Sequence, residues 1–382
     1  MTTVASPGKL RVVIVGGGVA ALETLLALAE LAPELTATTV IAPNRDFVYR
    51  PLAVREPFAY PPATRYPLAP IVQDAGSELL ADELAWVDPD RRVLHTRAGQ
   101  TLEYDALMLA LGAHAQARYR HATTIDDRRM DATLHGLIQD VDTGYVRSIA
   151  FLAPGRMAWP LPLYELALMT ATRAYDMNVQ LRSTLVTPEN APLAIFGSAA
   201  SDAVTKLLTQ RQIATIASAY AEIPRAGHIV INPGDRQLEV DRVVALPELY
   251  GPSVRGVPLG EHGFIRVDLH SRVPDVERVF AAGDAVEFPV KHGGISSQQA
   301  DAAAESIAAL AGAPLTPKPF HPTIHGMLLT GERPLYISAH ITGGHGFSSQ
   351  VSDEPMYSSP GKISARYLAP YLAERDPATS AA

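Results

Sequence analysis

Gly16, Gly18 and Ala21 fill a G-x-G-x-x-A template in the stretch VVIVGGGVAALETLL, with a β-branched run before it and an Ala/Leu-rich run after it. Such spacing suits the pyrophosphate of a dinucleotide. The first glycine permits a tight turn, the second lets a phosphate approach the backbone, and the small third residue lets a helix pack closely on its strand. The helix opening at Val19, Ala20 and Ala21 then offers free N–H groups and the positive end of its dipole. Elsewhere, Tyr164-Glu165 at a helix start places a carboxyl where burial would raise its pKa and let it move protons. An acid in a first helical turn also simply complements the dipole, and that reading stays open. His321 and His325 have the spacing of helix-borne metal ligands. Pro322 lies between them and no acid adjoins, so no metal site is expected. His340 and His345 fall in a Gly-rich stretch read as loop.

What is missing narrows the chemistry. The 382 residues include no cysteine, which excludes disulfides, thiolate nucleophiles, Fe–S clusters and thiol–flavin relays. A formal charge of −8 without any basic run argues against a nucleic-acid partner. No uninterrupted apolar run reaches the roughly 18 residues of a membrane span. The first apolar run ends in Gly16-Gly17-Gly18 and leads straight into fold, so no signal peptide is expected and a cytoplasmic location is. The length exceeds what one hydrophobic core usually supports and implies two or three domains.

Several elements must position these residues. Arg11 to Val15 and Thr38 to Ala42 read as parallel strands around the glycine turn. The second ends in Ala42-Pro43-Asn44-Arg45, without the acid that usually holds a ribose hydroxyl there. Asn44 or Arg45 would do that work by hydrogen bond or stacking, unless this is a solvated turn. After Asp46 to Leu52 a Pro-rich irregular segment is expected as far as Pro70, and an apolar strand over Thr101 to Gly112. Glu83 to Asp88 pairs with Arg91 to Arg97 as a hairpin. The polar composition from Gln116 to Gly144 suggests a linker.

A second βα unit starts with a strand over Ser148 to Ala153 and continues with a helix from Leu163 to about Tyr175. Its connecting loop has one glycine and three prolines, which supply no N–H donors to phosphate. Gln180 to Val186 and Arg242 to Leu246 read as strands, and Ser198 to Arg211 as a helix. An apolar strand closes in Val279-Phe280-Ala281-Ala282-Gly283-Asp284, followed by a helix from Ile295 to about Leu310. Lys362 to Leu372 has loose helical spacing broken by Pro370; packing on the chain's own core or on a dimer partner is favoured over peripheral membrane contact. The last ten residues look frayed.

Four segments in this order are diagnostic: the G-x-G-x-x-A turn, Tyr104-Asp105 leading to Ala110-Leu111-Gly112, the second unit, and Val279 to Asp284. Together they resemble the two-dinucleotide-binding-domain flavoproteins, which include type II NADH dehydrogenases and sulfide:quinone reductases. The resemblance implies an α/β fold of two Rossmann-like, three-layer ββα dinucleotide-binding domains with a small C-terminal α+β domain. Residues 1–115 with 252–313 would bind FAD, 116–251 would form the second domain, and 314–382 the third.

The resemblance implies FAD contacts by Gly16, Gly18, Val19, Ala20, Ala21, Asn44, Arg45, Tyr49, Arg50, Pro51, Ala110, Gly112, Gly283, Asp284, Lys291, Gly294 and Ile295. Asp284 would accept from the ribityl chain, and Lys291 with the following helix start would stabilise negative charge near flavin N1. Trp159-Pro160-Leu161-Pro162-Leu163-Tyr164-Glu165 resembles the Cys-Pro-Pro-x-Pro-Tyr-Glu loop of the sulfide:quinone reductase branch. Trp159 stands where that branch has its reactive cysteine. Trp159, Tyr164, Glu165 and Lys291 are the candidate catalytic residues. The expected activity is FAD-dependent two-electron transfer to a small-molecule or quinone-like acceptor, without cysteine-based sulfide oxidation. The alternatives are an NAD(P)H:acceptor reductase, weakened by the missing second glycine fingerprint, and a non-catalytic flavin-binding scaffold. A homodimer is compatible with the sequence.

Overall fold

The computed structural model describes residues 8–156, 159–342, 346–356 and 362–375. His345, Met157 and Ala158 of the Pro154–Pro162 loop, and most of the tail read as frayed lie outside them. Among the described residues the α-helices are α1 Val19–Leu31, α2 Leu68–Asp74, α3 Met130–Asp142, α4 Leu161–Asp176, α5 Ser198–Gln210, α6 Gly293–Leu310 and α7 Leu368–Ala373.

The first sheet has five parallel strands in the order Val279–Ala281, Ala106–Leu109, Leu10–Val15, Thr36–Ile41, Glu78–Leu80. Val12 to Val15 are apolar without alternation because helices and a further layer cover both faces. Asp105 pins the register. Its carboxylate accepts the Arg11 backbone N–H at 2.9 Å and the guanidinium Nε–H at 3.0 Å. That turn splits the stretch read as one strand from Thr101 to Gly112. Thr101–Glu103 joins an antiparallel meander with Leu84–Asp88 and Val93–Thr96, and Ala106–Leu109 enters the parallel sheet.

The second sheet is also five-stranded and parallel, in the order Thr123–Thr124, Arg242–Ala245, Ser148–Leu152, Arg182–Val186, Ile213–Ile216. Both units run strand, helix, strand, helix, strand, three-stranded meander, strand; in the second the meander is Tyr220–Arg225, His228–Asn232, Arg236–Glu239. The internal repeat is thus longer than the two βα units evident from sequence. His114–Gln116 pairs with Glu248–Tyr250, so the two connections between the units run side by side.

Three further expectations are corrected. The segment from Asp46 to Pro70 is ordered: Asp46–Val48 pairs with Arg65–Pro67, a 3-10 helix covers Arg50–Phe58, and α2 follows. The polar stretch read as a linker contains α3, whose Met130, Leu134, Ile138 and Val141 are buried. Only Leu368–Ala373 of the C-terminal stretch is helical, and Leu368 and Leu372 pack into the core of the first unit. In the C-terminal region Thr323–Leu328, Leu335–Thr342 and Gly346–Ser352 form an antiparallel sheet. His325 and His340 therefore lie on strands, not on a helix or in a loop.

Leu107, fully buried in the Ala106–Leu109 strand, tests the first core. Leu107→Ala is expected to cost roughly 2–5 kcal/mol, read as a lower thermal midpoint with the circular-dichroism spectrum unchanged below it.

Candidate functional site

Gly16 has φ +134°, and a Cβ there would lie 2.2 Å from the Ala110 carbonyl oxygen, so two strands and the turn meet with no room for a side chain. Gly18 is different. Its backbone is extended at φ −96°, and no atom lies within 4 Å of where its Cβ would be. The first intrahelical bond of α1 runs from Leu22 N–H to Gly18 O at 3.0 Å, so the N–H groups of Val19, Ala20 and Ala21 precede it. Open space in front of unpaired helix-start N–H groups is what a phosphate requires. Asn44 and Arg45 are exposed at the end of the neighbouring strand, and Gly112 (φ +72°) also faces open space.

Gly283 (φ +78°) brings the second segment to the same seam. A Cβ there would touch Ala20 Cβ at 3.2 Å and Ser296 Oγ at 3.4 Å, on α1 and α6 respectively. Its N–H donates to the buried Gln299 Oε1 at 2.9 Å. The adjoining Asp284 carboxylate makes no hydrogen bond to any described residue. Burial pushes its pKa up, Lys291 opposes that, and Asp127 adds to it. Lys291 is itself buried, which excludes a solvated loop lysine. Its Nζ donates to the Val286 carbonyl and lies 3.9 Å from the Phe264 ring centroid. Burial brings its pKa down to about 8, against the pull of Asp284 and Glu287.

The start of α6 is capped by a residue the sequence reading passed over. His292 Nδ1 accepts the Gly294 N–H at 3.2 Å, and burial holds the ring neutral with a pKa of about 3. Trp159 packs on it with ring centroids 4.5 Å apart, and on Phe196 at 5.7 Å. Ile295, next in the helix, is buried.

Of the remaining candidates, Tyr164 is not in the cleft. It is fully buried in the second unit's core, its hydroxyl donating to Glu189 Oε2 at 2.7 Å, and burial raises its pKa. Glu165 is neither exposed nor merely facing a helix dipole. It forms a buried ion pair with Lys362 and accepts the Leu329 N–H at 2.9 Å. Burial raises the carboxyl pKa and lowers that of the amine, each against the partner's attraction.

From Lys362 the chain crosses the start of α6. The Ile363 N–H donates to Tyr49 Oη at 3.0 Å, the Ile363 side chain lies where a Cβ on Gly293 would come within 2.9 Å, and Ser297 Oγ donates to Ser364 O at 2.9 Å. Tyr49 thus contacts this strap, while Arg50 and Pro51 open the 3-10 helix beside it. Burial pushes the Tyr49 pKa up to about 12.

The second sheet has its own switch point, between Ser148–Leu152 and Arg242–Ala245, where open α/β sheets bind ligands. It carries no glycine cradle. The Arg156 guanidinium lies 4.1 Å above the Tyr250 ring and 3.5 Å from Glu248 Oε2, and α4 opens between Pro160 and Pro162. Among the described residues no group of three or more His, Cys, Asp and Glu side chains could hold a metal ion. No described helix is long and apolar enough to cross a membrane.

Residues 10–129 match the family described as pyridine nucleotide-disulphide oxidoreductase. The chain is 23% identical over 265 residues to the sulfide-quinone reductase of Aquifex aeolicus, a match spanning 64% of this chain and 60% of that protein. It is 24% identical over 290 residues to an NADH dehydrogenase-like protein of Mycobacterium tuberculosis, spanning 72% of each. Among solved structures, the sulfide:quinone oxidoreductase of Aquifex aeolicus superposes with a TM-score of 0.79 at 20% identity, covering 91% of this chain and 87% of that one. A ferredoxin reductase from Rhodopseudomonas palustris gives 0.68 at 18% identity, covering 90% and 88%.

Removing one partner of a buried ion pair strands the other charge. Lys362→Ala is expected to lower stability by about 3–5 kcal/mol, and Lys362→Met combined with Glu165→Gln to recover most of it, both measured by thermal melting.

Proposed function

We propose that this chain, whose fold is that of the two-dinucleotide-binding-domain flavoproteins, is an FAD-dependent oxidoreductase acting on a quinone-like or other small acceptor without a protein thiol. The observation that carries the reading is the seam itself. The open space at Gly18, the N–H groups of Val19 to Ala21 and the unpartnered Asp284 carboxylate lie at the amino ends of α1 and α6, which Gly283 joins through Ala20 and Ser296. FAD, when bound there, supplies two-electron transfer at its N5.

The chain's own residues do the rest. The N–H groups at the start of α1 would hold the pyrophosphate, and Asp284 would accept hydrogen bonds from the ribityl hydroxyls. Asn44, Arg45 and Gly112 line the adenosine end. The start of α6, capped by His292, turns its positive dipole toward the flavin pyrimidine ring. Lys291 adds a buried cation beside Asp284. Trp159, Tyr49 and Ile363 exclude water, and the Glu165–Lys362 pair holds a proton in that dry setting. We divide the chain accordingly into a cofactor-binding unit of residues 1–115 with 252–313, a second unit of 116–251 and a C-terminal unit of 314–382. The match to an NADH dehydrogenase-like protein favours NAD(P)H as a second reading of the donor. The loop of residues 154–162 argues against it, since its three prolines supply no N–H donors to a pyrophosphate.

Gly18→Leu separates cofactor binding from folding, because the backbone is extended and no protein atom is displaced. The wild type is expected to purify yellow with about one FAD per chain; Gly18→Leu should melt at a similar temperature and lose the flavin. Anaerobically, dithionite should bleach the flavin band and a short-chain benzoquinone restore it, with NADH and NADPH inert. Rapid bleaching by NADH establishes the second reading; a colourless wild type that refuses FAD overturns both.

A further inference from the structure

The foot of the strap rests on two acids, Glu23, fully buried, and Asp301, half-buried at the edge of a groove. Glu23, in the middle of the apolar α1, accepts the backbone N–H groups of Arg366 at 2.6 Å, Tyr367 at 3.0 Å and Leu368 at 2.6 Å. Asp301, across the seam on α6, hydrogen-bonds Glu23 through one oxygen. Its other oxygen, Oδ1, is buried without a hydrogen-bond partner. Two carboxyls in contact cannot both ionise at low cost, so one keeps a proton. Glu23 faces three strap donors and is the anion; Asp301 holds the shared proton.

We propose that residues 362–368 form a pH-operated strap, docked over the start of α6 while Glu23 and Asp301 share a proton and released when that proton is lost. Ionising both acids demands water at the pair. The helices α1 and α6 are locked together by Ala20, Ala21, Ala27, Ala300, Ala303 and Ala304. The strap is the removable side. The charged groups nearest Asp301 are Glu23 on α1, Glu305 one turn along α6, and Arg366 on the strap. His325 and His340 of the C-terminal sheet and Glu374 at the end of α7 line the same groove, about 790 Å³, which gives the proton a route to solvent.

The sign follows from the proton count. Burial and Glu23 push Asp301 up to about 8 in the docked form. The hydrated acid returns to its ordinary range near 4. The docked form therefore binds the proton more tightly. Docking is strongest where Glu23 is ionised and Asp301 protonated, weakens as pH climbs above the ordinary range of Asp301, and is weakest above about pH 8. Because Ile363 sits on Gly293, release uncovers the start of α6. That this admits an acceptor rests on the proposed function; the strap itself does not.

Hydrogen exchange read by mass spectrometry on the full chain at pH 6 and pH 9, corrected for intrinsic rates, tests the strap. The amides of Arg366 to Leu368 are expected to lose protection by more than about tenfold at the higher pH, while those of α1 and α6 keep theirs. In Asp301→Asn, which cannot ionise, the change with pH should vanish. In Glu23→Gln the three amides should be unprotected at both values. Constant protection in the wild type, an unchanged pH response in Asp301→Asn, or wild-type protection in Glu23→Gln overturns the proposal. The exchange readout needs no flavin, so a colourless protein sinks the redox reading and leaves this one standing.

Discussion

The closeness of α1 and α6 is the constraint on which the rest depends. Alanines of both helices share one buried cluster, and Gly283 fits between Ala20 and Ser296, where a methyl group would lie 3.2 Å from Ala20 Cβ. Because the two helix starts are held together, the glycine turn after the first strand and the Gly283–Asp284 turn lie side by side. The two signature segments are more than 260 residues apart in the chain, and the intervening strand Ala106–Leu109, paired to both Leu10–Val15 and Val279–Ala281, sets their spacing.

The second unit repeats the architecture and differs in its chemistry. Where the first unit leaves a bare glycine turn, the second places Arg156 against Tyr250 and Glu248, and its helix begins with prolines. Trp159, which the loop resemblance aligns with the cysteine of the sulfide:quinone reductase branch, packs on His292. The second unit thus flanks the start of α6. Its contributions are the Trp159 face and the Glu165 carboxylate, which reaches across to anchor Lys362 at the head of the strap.

Much of this was legible in the residues. The glycine spacing and the V-F-A-A-G-D closure carry the fold. Other features escaped because their signals are non-local. Glu23 lies in VAALETLL on the same face as Ala20 and Ala27; an acid on an apolar stripe demands a partner, but nothing nearby names the amides of Arg366 to Leu368. Lys362 looked like the cationic edge of an amphipathic helix, whereas it is buried against an acid 197 positions earlier. The helix α3 was hidden by its polar composition, although Met130, Leu134, Ile138 and Val141 carry helical periodicity. The loop resemblance makes Tyr164 a candidate catalytic residue, whereas it is buried against Glu189. One position along a helix turns a side chain by about 100°, enough to send Tyr164 into the core while Glu165 meets the strap.

Calorimetric titration of flavin-stripped protein with FAD and with FMN tests the central claim most directly, because only FAD spans from the helix α1 start to Asp284. Charge-assisted bonds to the pyrophosphate are worth about 1.5–3 kcal/mol each. One FAD should therefore bind per chain, at least about a hundredfold more tightly than FMN. Equal affinity for the two flavins, or no binding of either, would contradict a cleft built on the α1–α6 seam.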